Sequence, residues 1–214
     1  LAQYFVDQLK AANIDVKGSF SVSFEKPDKV RKIIYTHYSP ALAEIIKITN
    51  FKSNNNYAEH LLKHLSLQKD SIANTESALK MVRNYWAEKG LDVSGLFMYD
   101  GSGLSPKNAI CADFLCNLLV YMKTKSKNAD VFYASLPIAG QTGTVSSFLK
   151  NSLLEGQVHL KSGSFKNVQC YAGYVSKNGK DYAFCMMVNN FLGERKNTVR
   201  LIEQLLANTF YSIN

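Results

Sequence analysis

The chain has 214 residues, of which 46% are hydrophobic, 12% aromatic and 20% charged. That balance can bury a core without staples, and it excludes an intrinsically disordered or collagen-like polymer. Lys and Arg number 25 against 17 Asp and Glu, a net charge of +8, but the bases are scattered and read as a basic soluble surface rather than a nucleic-acid stripe. No run of about 18 apolar residues encodes a membrane-spanning helix. No charged segment followed by an apolar one opens the chain as an export signal would. With Leu1 where a start methionine would stand, the chain is expected to be a piece of a longer protein.

In chain order, Phe5, Val6 and Leu9 predict a helix over residues 4–12. The β-rich run 30–38 predicts a strand. Ser39 and Pro40 read as an N-cap and first helical residue, with Leu42, Ile45, Ile46 and Thr49 on the inward face. The polar stretch Ser53-Asn54-Asn55-Asn56 interrupts that pattern. A second helix over 57–65 then turns Leu61, Leu62 and Leu65 inward. A longer helix over 75–89 carries Leu79, Val82 and Trp86 and ends at Gly90. Residues 99–106 are a tight loop by composition, 112–123 a helix and 136–144 a loop. Lys123, Lys125 and Lys127 read as a solvated helix end.

The last third changes period. Strands are predicted over 157–164, 168–176 and 180–189, with Asn178-Gly179 as the hairpin turn between the last two. Val199, Ile202, Leu205 and Leu206 mark a closing helix. Helices followed by an antiparallel meander and a final helix give an α+β fold, with one layer of helices packed on an antiparallel sheet. No linker or repeat divides residues 1–214, which read as one domain or part of one.

Four cysteines, Cys111, Cys116, Cys170 and Cys185, include no C-x-x-C pair. Five residues on one helix separate Cys111 from Cys116, poor geometry for a disulfide. Cys170 and Cys185 lie on neighbouring strands, where a disulfide and buried free thiols both remain open. His60 and His64 stand four apart on one helix without a third ligand, so no metal site is expected. His37 and His159 read as strand-surface residues, and Tyr57, Tyr171, Tyr174 and Phe184 as packing.

No G-x-S-x-G elbow and no glycine-rich phosphate loop is present. Two short strings fit together better. Ser53-Asn54-Asn55 lies at a helix junction, and Lys161-Ser162-Gly163-Ser164 lies on a strand. The period of two puts Lys161 on the face opposite Leu160, where an amine can meet a cleft. Gly163 suggests close approach by another backbone, and the hydroxyls of Ser162 and Ser164 suit a carboxylate.

These strings resemble the S-x-N and K-[ST]-G motifs of the penicillin-recognising serine enzymes. Their flanks, Ser53 to Lys63, Asp100-Gly101-Ser102-Gly103-Leu104-Ser105, Leu136 to Gly140 with Gly143-Thr144, and Ala172-Gly173-Tyr174, are similar to the class C penicillin-binding proteins, D-alanyl-D-alanine carboxypeptidases/endopeptidases of peptidoglycan. The likeness covers nearly the whole chain. It implies a partial penicillin-binding, β-lactamase-like transpeptidase fold, an extracytoplasmic or periplasmic setting and no cofactor. Stem peptides and β-lactam antibiotics are the implied ligands. By the same resemblance Ser53, Lys161 and Ser164 are catalytic: Ser53 relays protons, Lys161 supplies positive charge, and the Ser164 N–H forms half of an oxyanion hole. Asn55, Ser162 and Gly163 bind substrate.

Two features depart from the family pattern. Thr142 stands before Gly143 where an acid is usual. The nucleophile's S-x-x-K motif should lie well upstream of S-x-N, yet Ser66–Lys69, Ser77–Lys80 and Ser147–Lys150 follow it, and Ser23–Lys26 abuts Pro27. The nucleophile is therefore expected in an N-terminal portion of the same protein, and this chain should expose an apolar face or have it covered by a partner. The alternatives are a basic module for an anionic polymer, recognisable by a steep salt slope, and a serine β-lactamase fragment.

Overall fold

The computed structural model describes residues 1–25, 32–33 and 35–212. The chain divides into two units, Leu1–Ser39 and Pro40–Asn214. In the first, helix α1 (Ala2–Ala11) takes up the predicted spacing, but none of its residues is buried. The strand expected over 30–38 falls partly outside the described residues. Residues 32–33 and 35–38 have no strand structure, and the exposed His37 is therefore not on one.

The second unit opens with α2 (Leu42–Lys52) and α3 (Asn55–Ser66). Helix α2 starts later than Ser39-Pro40 suggests, with Ala41 at its N-cap, and Leu42 is exposed. In α3, Leu62 and Ser66 take the inward positions while Leu65 faces out. Helix α4 (Thr75–Glu88) is capped by Asn74, whose side chain accepts from the Ser77 amide, and Gly90 takes the left-handed turn just beyond its end. A two-residue ribbon, β1 (Leu96–Phe97) with β2 (Ala109–Ile110), frames the 99–106 loop. Helices α5 (Ala112–Thr124) and α6 (Ala129–Ser135) follow, the latter unforeseen because its seven residues carry no long stripe.

Strands β3 (Val158–Phe165), β4 (Val168–Lys177) and β5 (Lys180–Asn189) form an antiparallel sheet in sequence order. Its tight turn pairs Lys177 with Lys180, with Asn178 and Gly179 both at positive φ as a type I′ hairpin requires. The closing helix, α7 (Arg195–Tyr211), packs Ile202, Leu206 and Phe210 against Val158, Leu160, Tyr171 and Val175. Leu205, predicted inward, is 59% exposed, as is its outer neighbour Leu201 at 65%. The helical pitch turns that pair about 100° away from Ile202 and Leu206.

Helices cover both faces of the sheet, not one. Tyr171 and Val175 of β4 face α7, whereas Tyr174 and Ala172 face Leu119 of α5 and Phe132 and Tyr133 of α6. A strand apolar on both sides has to be covered on both. Tyr171, Tyr174 and Phe184 are core residues as expected, but Tyr57 is 40% exposed. Lys123 is not a free helix end, since it pairs with Asp181 at 2.6 Å and lies 3.8 Å from the Tyr133 ring centroid. His159 is half-buried rather than superficial and stacks on Tyr133 at 4.2 Å. Burial pushes its imidazole pKa down.

Candidate active site

The corner between α2 and α3 is only Ser53 and Asn54. The chain reverses there because Ser53 adopts the left-handed conformation, φ 50°, ψ 51°. That conformation is uncommon for a residue with a Cβ, and such strain is tolerated where the surroundings over-determine it. Two hydrogen bonds do so here: Asn54 N–H donates to Thr49 O at 3.0 Å, and Asn54 Oδ1 caps α3 by accepting from Tyr57 N–H at 3.0 Å. The strained turn projects the Ser53 hydroxyl out of the helix pair.

Opposite it lies the outer edge of β3, the one turned away from β4. Leu160 N–H donates outward to Pro137 O, and Val158 O accepts from Ala139 N–H. The even-numbered residues of β3 therefore direct their main-chain groups away from β4. Continuing the period of two, Ser162 and Ser164 point theirs at the same outer edge. The Ser162 carbonyl accepts from Lys161 Nζ at 2.5 Å. The Ser162 hydroxyl lies 3.0 Å from that of Thr144, a partner supplied by the 3-10 turn Gly143–Val145.

Lys161 Nζ donates to Ser53 Oγ at 2.8 Å, joining two residues 108 positions apart. Burial holds its ammonium pKa below the ordinary value, because a desolvated cation is disfavoured. The 53–55 corner and the 161–164 edge line one cleft of about 850 Å³. Asn55, exposed at the start of α3, lines it as well.

Gly163 does not serve the purpose its sequence context suggests. A Cβ there would meet only Cys170 Cβ, at 4.0 Å. The close backbone approaches occur elsewhere. A Cβ on Gly101 would lie 2.7 Å from Ala58 O, and one on Gly143, at φ +60°, 2.8 Å from Phe51 O. Both glycines let cleft-forming loops rest on the helices that hold Ser53. Glu59 adds a tether, its Oε2 accepting from Gly101 N–H at 2.7 Å.

The loop after Gly101 is organised by Asp100. Its carboxylate accepts from the amides of Gly103 at 2.5 Å and Ser105 at 2.7 Å, from Ser102 Oγ and from Asn108 Nδ2, both at 3.2 Å. Burial works to raise the carboxyl pKa, but these four bonds together bring it below the ordinary value. The loop's stabilisation is therefore complete above the ordinary aspartate range and is lost as pH falls through the lowered value. In Asp100→Ala, hydrogen exchange at the Gly103 and Ser105 amides is expected to accelerate about tenfold or more. Unchanged exchange would mean that the loop is held by other contacts.

The S-x-x-K strings are dispersed. Ser66 is buried and bonded to Lys63 O and the Asn74 amide. Lys80, partner of Ser77 in its string, pairs with Glu76. Ser147 lines the cleft. Lys26 lies outside the described residues. Thr142, in the acid's usual place, accepts from Ile138 N–H at 2.8 Å through Oγ1 and holds the turn. The four cysteines are free; burial raises the thiol pKa of Cys116 and Cys170 and pushes Cys185 up to about 12. His60 and His64 are exposed, and no cluster of metal-ligand side chains occurs among the described residues. Thr144, Gln169 and Arg195 also line the cleft, yet none stands in a motif that marks it in sequence.

Comparison with known proteins agrees with this architecture. The chain is 29% identical over 195 residues to a D-alanyl-D-alanine carboxypeptidase of an Actinomadura species, covering 88% of this chain and 36% of that protein. It is 26% identical over 196 residues to D-alanyl-D-alanine carboxypeptidase DacB of Haemophilus influenzae, covering 89% and 40% respectively. The crystal structure of penicillin binding protein 4 from Haemophilus influenzae superposes with a TM-score of 0.83 at 26% identity, over 98% of this chain and 48% of that one. The chain thus spans between a third and a half of these three proteins. Residues 1–209 match one family throughout, and the chain belongs to the D-Ala-D-Ala carboxypeptidase 3 (S13) family.

Proposed function

We propose that this chain is the C-terminal part of a serine D-alanyl-D-alanine carboxypeptidase/endopeptidase. It acts on peptidoglycan stem peptides in an extracytoplasmic compartment and is acylated by β-lactams. The observation that carries this reading is the 2.8 Å bond from Lys161 Nζ to Ser53 Oγ inside the cleft. An ammonium and a hydroxyl with different environments, converging beside the outer edge of a strand, suit proton transfer next to an anionic substrate.

The substrate's terminal carboxylate is held by Lys161 and the hydroxyls of Ser162 and Ser164. The scissile carbonyl oxygen takes the Ser164 N–H as one oxyanion donor, and Asn55 hydrogen-bonds the substrate's amide. A serine outside these 214 residues attacks the carbonyl carbon as its proton passes to Ser53 Oγ and Ser53 gives up its own hydroxyl proton toward the leaving nitrogen, so that Lys161 stays an ammonium. The C–N bond then breaks, the leaving amine takes a proton through Ser53, and water hydrolyses the acyl-enzyme. The N-terminal portion of the protein supplies that serine. No helix of the described residues is long and apolar enough to cross a membrane.

Labelled penicillin tests the assignment. It is expected to acylate the full-length protein and to leave this chain unlabelled. Label on this chain, mapped to Ser147 in the cleft, would move the nucleophile into these residues. No label on either would remove the peptidase reading.

A further inference from the structure

A hydroxyl carries one proton and two lone pairs, whereas a carboxylate only accepts. The Ser162 hydroxyl can therefore hold a substrate carboxylate only while its single proton is not given to another acceptor. Its partner in the cleft is the Thr144 hydroxyl, 3.0 Å away, and either oxygen can be the donor. The pair has two arrangements. In one, Ser162 donates to Thr144 and turns its lone pairs toward the ligand, which repels an anion. In the other, Thr144 donates to Ser162 Oγ and leaves the Ser162 proton free for the ligand. An arriving carboxylate selects the second, because only then is every oxygen in the row Thr144, Ser162 and carboxylate matched by a proton. We propose that Thr144 is a positioning residue for the terminal carboxylate of the substrate. It fixes the rotamer of Ser162 and directs the Ser162 proton into the cleft. An O–H that accepts one hydrogen bond also donates a stronger one.

Thr144 can do this because its own place is fixed before any ligand arrives. It is the middle residue of the 3-10 turn Gly143–Val145. On one side Val145 is fully buried, and its carbonyl accepts from the amides of Gly140 and Phe148, each at 3.0 Å. On the other, Thr142 Oγ1 accepts from Ile138 N–H at 2.8 Å. Ile138 bridges to His159 of β3, and its neighbours Pro137 and Ala139 bond to Leu160 and Val158. The turn is thus clamped to the strand that carries Ser162. Thr144 is also β-branched, which restricts its χ1. Its hydroxyl is exposed to the cleft and meets Ser162 without a rearrangement, so little ordering cost remains for the ligand. This inference rests on the peptidase reading, which puts a carboxylate at Ser162.

Benzylpenicillin and its methyl ester test the assignment in the full-length protein, since they differ only in the carboxylate next to the scissile amide. Acylation is followed by the mass of the intact protein. Thr144→Val removes the hydroxyl and keeps the shape of the side chain. It is expected to slow acylation by benzylpenicillin about tenfold and to leave the rate with the ester nearly unchanged. Thr144→Ser keeps the hydroxyl and should restore most of the rate. In a Ser162→Ala background Thr144→Val should cost nothing further, because two groups acting as one unit are not additive. Thermal melting verifies that each variant folds. A purely structural role for Thr144 would slow both compounds alike and would add to the loss from Ser162→Ala. Equal losses with the two compounds, no loss with benzylpenicillin, or a loss that recurs undiminished in Ser162→Ala overturns the proposal. If benzylpenicillin leaves the wild type unmodified, the peptidase reading itself falls and takes this inference with it.

Discussion

Replacing Lys161 by Met in the full-length protein is expected to lower the rate of penicillin acylation by about 10²–10⁴-fold. The substitution keeps an unbranched side chain one atom shorter and removes the group that donates to Ser53 Oγ across the cleft. Ser53 then loses its charged neighbour, and the edge of β3 loses the positive charge proposed to hold the substrate carboxylate. The pH profile gives an independent check with a defined sign. Burial places the Lys161 pKa below its ordinary value of 10.5. As pH rises through the lowered value the ammonium is lost, so the acylation rate should fall on an alkaline limb that lies below pH 10.5. Stability should move the other way. Between the folded value and 10.5 the unfolded chain binds the proton more tightly, so Lys161 makes the fold more stable as pH rises across that window. Lys161→Met should remove both effects. An alkaline limb that persists in the variant would assign the titration to another group.

Gly173→Ala is expected to destabilise the fold by about 3 kcal/mol or more. Gly173 stands on the middle strand, opposite Leu160 of β3 and Phe184 of β5. A Cβ there would lie 2.1 Å from His159 O and 2.6 Å from Leu160 Cα. Both are main-chain atoms, so no rotamer change relieves the clash, and β3 must separate from β4. Lys161 is the next residue on β3. A shift of about 1 Å in such a strand costs of the order of 10²-fold in rate. Denaturant unfolding should therefore show the lost stability, and any folded fraction should acylate slowly. Gly163→Ala is the control for stability. Its new Cβ would meet only Cys170 Cβ at 4.0 Å, so unfolding should be nearly unchanged. Equal destabilisation at both positions would mean that the loss of glycine, not the close approach, sets the cost.

Much of the fold could be read from short-range pattern. The Asn178-Gly179 turn determines its hairpin because few residues other than Asn and Gly accept two consecutive positive φ angles. The three strands carry a period of two that the sheet preserves, so the predicted bounds lie within a residue of those observed. Patterns failed where a face depends on what lies across it. Leu205 and Leu65 obey helical spacing yet face outward, while the polar Ser66 is buried because its hydroxyl finds Lys63 O and the Asn74 amide. A hydroxyl satisfied in this way can replace a leucine in the interior. Helices on both sides of the sheet were equally hard to foresee, since the alternation along β4 is between two apolar faces.

The site divides in the same way. Ser53, Asn55, Lys161, Ser162 and Ser164 were recognisable in sequence because they stand in two short motifs. Residue type and order within each motif are local properties, and so is the bias of a polar run toward ending one helix and starting the next. That the two motifs meet is not local. It needed the left-handed Ser53, the outer edge of β3 and the glycines at 101 and 143 that admit neighbouring backbone to within about one atom's diameter. Gly163 shows the difference: its motif marked it as a point of close approach, but the contact belongs to Gly173 on the adjacent strand. Arg195 had no motif at all, and only the packing of α7 against the sheet brings its guanidinium to the end of β3. The sequence by itself determined which candidate groups stand together in a motif, because that depends on side-chain type and spacing along one strand or turn. Only the tertiary structure decided which of them share a cleft, because distance between residues far apart in the chain is set by packing, to which the local pattern is blind.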